Sequence, residues 1–207
     1  MTKKRQCGDV RGLPTTEELF KRLRKRTKAN ADEMDAAVEE LCVRELTVLM
    51  CDSSGFTRRT HDYGILQFLA VMTEVYDLVG PAVEKHGGVI ISKGADNLLA
   101  VFDAPADGVD AAVAMMRLVA KRNAGKHDRD QFQLCMGLHR GKVLRLKDGI
   151  FGDKVNVAAK IGEDLASAEE ILVTAEVESR LPDRIKRDYA RTVTLGGKTF
   201  ALHRVRY

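Results

Sequence analysis

The sequence predicts an α+β fold: a ferredoxin-like β-α-β-β-α-β sandwich, with appended C-terminal strands and helices and an N-terminal helical extension. Three observations predict it. Between residues 46 and 146, aliphatic and β-branched runs alternate with segments of helical period in the order strand, helix, strand, strand, helix, strand. The two middle strands are separated only by KGADN, residues 93–97, which is hairpin spacing. Both helical segments stop at glycine, at Gly87-Gly88 and at Gly125.

In chain order, Thr15 or Thr16 ahead of Glu17 and Glu18 opens a capped helix, and ADEMDAAVEELCVRE, residues 31–45, gives a second. These form an extension over residues 1–43, and the main domain occupies 44–207. Residues 46–51 are its first strand. Ile65, Leu69, Met72, Val75, Tyr76, Val79 and Val83 recur at helical spacing. VIIS (89–92) and LLAVF (98–102) pair as the hairpin, and PADGVDAAVAMMRLVAKRN follows as a helix with Pro105 in its first turn. FQLCMGLHR leads through Gly141 into KVLRL. The remainder reads as a helix from about Lys154, a strand EILVT at 170–174, a short helix ending at Pro182, and a hairpin turned at Gly196-Gly197.

With 44% hydrophobic and 31% charged residues, the composition is that of an ordinary globular domain, and no apolar stretch approaches the roughly 18 residues of a membrane span. Cys7, Cys42, Cys51 and Cys135 lack CxxC spacing, so a reducing, cytoplasmic setting is expected. The net charge of +4 is unevenly placed: residues 1–28 carry ten Lys or Arg against three acids. That segment can meet an acidic partner or a membrane surface, or be a solvated face. With 5% aromatics and no Trp, binding to single-stranded nucleic acid is not expected.

Asp52 follows the apolar run LTVLM and precedes Ser53-Ser54-Gly55, so an acid stands at the end of a buried strand. It can cap the following turn or bind a metal. In the predicted topology the first and third strands are neighbours, and Asp96 in the KGADN turn reaches the same edge although 44 positions away. Two carboxylates beside a turn carbonyl suit Mg²⁺, and paired ions so held activate an attacking oxygen and neutralise a triphosphate.

DSSGFT at 52–57, VIISKGADNLLAVF at 89–102, GLHRGKV at 137–143 and FGDKVNVAAKIGEDLASAEEILVT at 151–174 together resemble the catalytic domain of the class III nucleotidyl cyclases. The likeness covers about residues 44–207. It implies a head-to-tail homodimer with two composite active sites, each binding two Mg²⁺ (or Mn²⁺) ions and a nucleoside triphosphate. It places the metal ligands on Asp52, Asp96 and the Ser53 carbonyl, and the partner-facing pair on Asn156, which orients the ribose, and Lys160. Lys160 stands where the family has an Arg, keeping the charge without the bidentate fork. At the two purine-reading positions the resemblance places Ser92 and Gly149, with Lys93 and Asp148 one residue away. Gly55, Phe56, Thr57 and Lys198 complete the expected substrate surroundings, Phe56 also being suited to pack beneath the metal turn. ATP is the expected substrate, as the commoner one in the family.

His139 ends a strand without any HExxH-type spacing, so a structural role is expected. Two other functions compete. A cyclase-like module that binds nucleotide or dimerises without turnover is suggested by Ser92, Gly149 and Lys160, and opposed by two acids kept at an apolar edge. A diguanylate-type palm shares the topology, but GGVII lacks the acidic turn after its glycines.

Overall fold

Side chains alternate between two cores along β1 (Val43–Ser53), and this sets the faces of the sheet. Leu49 and Cys51 enter one core, while Leu46, Val48 and Met50 enter the other. The computed structural model describes residues 6–94 and 96–207 and arranges eight strands in one sheet around this strand. β1 pairs antiparallel with β3 (Asn97–Phe102) on one side and β4 (Leu134–Arg145) on the other. Outside β3 lies β2 (Val89–Gly94), and beyond β4 come parallel β6 (Ile171–Thr174), then β8 (Lys198–Val205) and β7 (Arg187–Leu195). The short β5 (Ile150–Phe151) folds back on the end of β4. The order β2-β3-β1-β4 is the ferredoxin-like arrangement, and β6-β8-β7 is the appended part.

The first face is covered by α4 (Ile65–Lys85) and α5 (Pro105–Asn123), whose Val75, Val79, Ala112 and Met115 share a core with Leu98, Phe102, Met136 and Leu138. By length and composition alone α4 could cross a membrane, contrary to the sequence expectation. Its apolar stripe is instead used on this core. On the second face lies α6 (Asp153–Ala159), continued by a π-helical stretch over Lys160–Leu165. Glycine lets it come close: a Cβ on Gly137 would stand 2.4 Å from the Gly162 nitrogen. The four-residue α7 (Ala175–Glu178) follows β6.

In the extension, Thr15 and Glu18 form a reciprocal capping box for α1 (Thr16–Leu23), with bonds of 2.8 and 3.2 Å. The next helix, α2 (Ala31–Cys42), passes into β1 with no residue between them. Leu19, Val38 and Cys42 are buried together with Leu146 of the main domain. Cys7 is buried on the second face, its N–H donating to the Asp103 carboxylate. Residues 1–5 of the basic segment and Ala95 of the hairpin lie outside the described residues.

The structure departs from the predicted elements at several places, among them the short helix expected to end at Pro182, which ends at Glu178. β1 begins at Val43, so three residues read as helix are strand. The stretch from Leu134 to Arg145 is one strand passing through Gly141. A further helix, α3 (Phe56–Tyr63), fills a segment to which the sequence assigns no element, because its polar sequence has no apolar period and its one buried residue is Arg59. That guanidinium donates to the Asp128 and Gln131 carbonyls at 2.6 and 3.0 Å.

Candidate active site

β1 ends where Ser54 N–H meets the Gln133 carbonyl at 2.8 Å, and Gly55, with φ of 83°, supplies the left-handed turn into α3. Asp52 sits opposite Asn97 on β3 and Cys135 on β4. Gly94 pairs with Asn97, which leaves Asp96 in a two-residue hairpin tip. The Ser53 hydroxyl donates to the Asp96 carboxylate at 3.1 Å, so the two acids lie at one sheet edge. Behind the tip, the Tyr76 hydroxyl of α4 donates to the Asp96 carbonyl.

The edge carries excess negative charge. Burial, then Asp96, Glu163 and Asp164, push Asp52 up to about 7, against the Ser53 N–H, which lowers it. Glu163, within the π-helical stretch, is also raised, by burial and by Asp164 and Asp96, while Asn97 Nδ2 donates to it at 3.2 Å. Burial, then Asp52, Asp96, Glu163 and Glu170, raise the Cys135 thiol to about 12. A half-buried acid that shares its edge with other acids is suited to a cation, and the carboxylates of Asp52 and Asp96 with the Ser53 carbonyl are hard oxygen donors that fit Mg²⁺. Among the described residues no group of three His, Cys, Asp or Glu side chains could hold a metal. Water and phosphate oxygens would complete such a shell, as is usual for this ion.

The residues named for substrate fall in several places. Phe56 turns inward, its ring edge-on to Phe68 at 4.9 Å. Thr57 is exposed in the first turn of α3. Ser92 pairs with Leu99, whose side chain enters the second-face core, whereas Lys93 pairs with Leu98 of the first. Lys93 therefore lies over α4, beside Gly80, on the face opposite Asp52. Asp148 is turned to the extension: Thr16 N–H and Oγ donate to it at 2.7 and 2.9 Å. Gly149 is beside it, its carbonyl accepting from Leu146 N–H.

Asn156 and Lys160 are exposed one turn apart on α6 and its continuation. Lys160 is held by Asp164 at 2.6 Å, and Lys198 lies 3.6 Å from Asp153 at the start of α6. That start packs on Val143, opposite Arg44 and thus roughly 26 Å of strand from Asp52. One chain therefore brings Asp52, Ser53 and Asp96 together, and it does not bring Asp148, Gly149 or Lys198 to them.

The family profile of the adenylate and guanylate cyclase catalytic domain matches residues 39–204. This chain belongs to that family. The chain is 34% identical over 139 residues to serine/threonine-protein kinase pkn2 of Myxococcus xanthus, covering 65% of this chain and 16% of that protein. It is 28% identical over 158 residues to the adenylate cyclase of Anabaena cylindrica, covering 67% and 31%. The chain thus spans a third or less of these relatives. Among solved structures, the adenylyl cyclase CyaB from P. aeruginosa superposes with a TM-score of 0.69 at 21% identity, covering 80% of this chain and 95% of that one. The guanylyl cyclase Cya2 gives 0.70 at 21% identity, covering 79% and 92%, and both show that the cyclase fold is shared.

Two residues at the edge escape a reading of the sequence. Tyr76 reads as one more apolar position of a helix; the available signal is that a buried phenol needs a polar partner. Glu163 reads as a solvated helix residue, and nothing in the sequence marks the π-helical turn that swings it toward Asn97.

Proposed function

We propose that this domain is a nucleotidyl cyclase acting as a head-to-tail homodimer, converting a nucleoside triphosphate, ATP in the first instance, to the 3′,5′-cyclic monophosphate and pyrophosphate. The ribose 3′-hydroxyl gives up its proton to water and its oxygen bonds to the α-phosphorus, the bond from that phosphorus to the bridging oxygen breaks, and pyrophosphate leaves. The observation that carries this reading is the convergence of Asp52 and Asp96, remote in sequence, at one half-buried edge. Asp52, Asp96 and the Ser53 carbonyl would hold Mg²⁺ or Mn²⁺, which when bound lowers the pKa of the 3′-hydroxyl and neutralises phosphate charge. The first N–H groups of α3, beginning at Phe56 and Thr57 after Gly55, are free of helical partners and suit phosphate oxygens. From the partner, Asn156 would orient the ribose and Lys160 would release Asp164 to meet the phosphates, with Lys198 beside them.

Residues 44–207 would form the catalytic unit, in a cytoplasmic setting, with the basic residues 1–28 available to an acidic partner or a membrane surface. A second reading, a module that binds nucleotide without turnover, draws on the Lys160–Asp164 pair and on Ser92 and Gly149, which offer a purine no long polar side chain. One assay separates the two. The purified chain is incubated with Mg²⁺ or Mn²⁺ and either ATP or GTP, and products are resolved by chromatography. Cyclic product from either nucleotide supports the enzyme; bound nucleotide without product supports the module.

A further inference from the structure

The tip of the β2–β3 hairpin is the part of the acid edge with the least backbone support. Asp96 occupies a two-residue turn between Gly94 and Asn97, beyond the last paired residues of the ladder. Such tips are ordinarily the most mobile points of a sheet. A metal ligand, by contrast, must be held within about half an ångström of its working position.

Tyr76 meets that requirement from behind. It stands 20 positions earlier in the chain, on the core helix α4, and is 4% exposed. Its ring packs edge-on to Phe132, with centroids 6.4 Å apart, inside the core formed with Val75 and Val79. A Tyr side chain has two torsions, and here both are fixed by packing, so its hydroxyl is a rigid donor. That donor is aimed at the Asp96 carbonyl. On the other side of the same residue, Ser53 Oγ takes one carboxylate oxygen at 3.1 Å. The next residue, Asn97, is tied to Glu163 at 3.2 Å. β1 and α4 thus both hold Asp96, the π-helical stretch holds the first residue of β3 beside it, and among the described residues it is the phenol that grips the Asp96 backbone from the core.

We propose that Tyr76 is a positioning residue: through its bond to the Asp96 carbonyl it presents the Asp96 carboxylate to the metal beside Asp52. This rests on the reading of Asp96 as a metal ligand. A tyrosine that only fills the core would act on stability alone. One that positions Asp96 must act on metal affinity.

The test is Mn²⁺ binding to the full chain, followed by electron paramagnetic resonance, together with melting temperatures in chelator. Four proteins are compared: wild type, Tyr76→Phe, Asp96→Ala, and Val119→Ala, which loosens the same core through α5 without approaching the hairpin. Tyr76→Phe is expected to weaken Mn²⁺ binding about fivefold, the factor that one buried hydrogen bond carries. Val119→Ala is expected to lower the melting temperature and leave Mn²⁺ affinity unchanged. In turnover assays, the loss in Tyr76→Phe is expected to be recovered by raising Mn²⁺, with KM for nucleotide at saturating metal unchanged. Wild-type Mn²⁺ affinity in Tyr76→Phe overturns the inference, as does equal weakening in Val119→Ala. If Asp96→Ala binds Mn²⁺ as wild type does, the metal reading of Asp96 falls and takes the inference with it. A silent Tyr76→Phe beside a defective Asp96→Ala removes Tyr76 alone.

Discussion

The acid edge and the α6 helix differ in what holds their polar side chains. At the edge, Asp52 is half-buried and Asp96 is gripped at its carboxylate and its carbonyl, by residues from β1 and α4. On α6 and its continuation, Asn156 is exposed and Lys160 is paired with Asp164 within the same helical run. An exposed pair of this type holds its partners weakly, so Lys160 can be redirected at small cost. The edge acids are tied into the fold, whereas the α6 side chains are open to solvent. This is the division expected if each chain completes the other's site.

The sharpest way to break the comparison is to remove an acid. Asp52→Ala or Asp96→Ala is expected to reduce cyclic product formation about a thousandfold while retaining the fold, since each deletes an edge ligand and no core volume. Circular dichroism with the turnover assay checks this, and unfolding of both variants would instead make the acids structural caps.

Next in size is Lys160. Lys160→Ala is expected to lower kcat about a hundredfold with a smaller change in KM, and Lys160→Arg to equal or exceed wild type, because Arg restores a bidentate fork on phosphate. An unchanged kcat in the alanine variant takes Lys160 out of the reaction.

Mixing addresses the partition between chains. Asp52→Ala and Asn156→Ala are each expected to be inactive, and after subunit exchange to regain about a quarter of wild-type activity, as half the dimers are mixed and each has one intact site. No recovery after verified exchange would mean that each chain carries a complete site.

The smallest effect concerns stability. With Asp52 raised to about 7 in the folded chain, the folded state holds this proton more tightly than the unfolded one. The stability linked to it is complete below the unfolded value and is lost as pH rises through about 7. Asp52→Asn is therefore expected to raise the melting temperature in chelator by a few degrees at pH 8 and by less at pH 5. Equal shifts at both pH values would show that ionisation of Asp52 costs the fold nothing.

Much of the architecture is legible in periodicity: α5 begins at Pro105 and ends before Gly125 as the sequence implies, and the β2–β3 hairpin turns at KGADN. The approach of Asp52 and Asp96 follows from topology, because adjacent antiparallel strands put the end of one beside the start of the other. What sequence could not reveal depends on local geometry. Facing along β2 had to pass a bulge between Ile90 and Ser92 before Lys93 could be assigned to the α4 side. Asp148 was drawn away by Thr16, 132 positions earlier, a contact that no local pattern encodes. α3 stayed hidden because its one fully buried residue is an arginine.

The junction at Cys42 and Val43 has a mechanical meaning. With no residue between α2 and β1, there is no slack in which a displacement of the helix could be absorbed. β1 is clamped by ladders on both sides, and nine residues after Val43 it reaches Asp52, next to its last residue Ser53. A twist or pull applied at α2 is delivered along a stiff rod to the acid edge, so whatever grips the extension holds one end of a lever whose other end is Asp52.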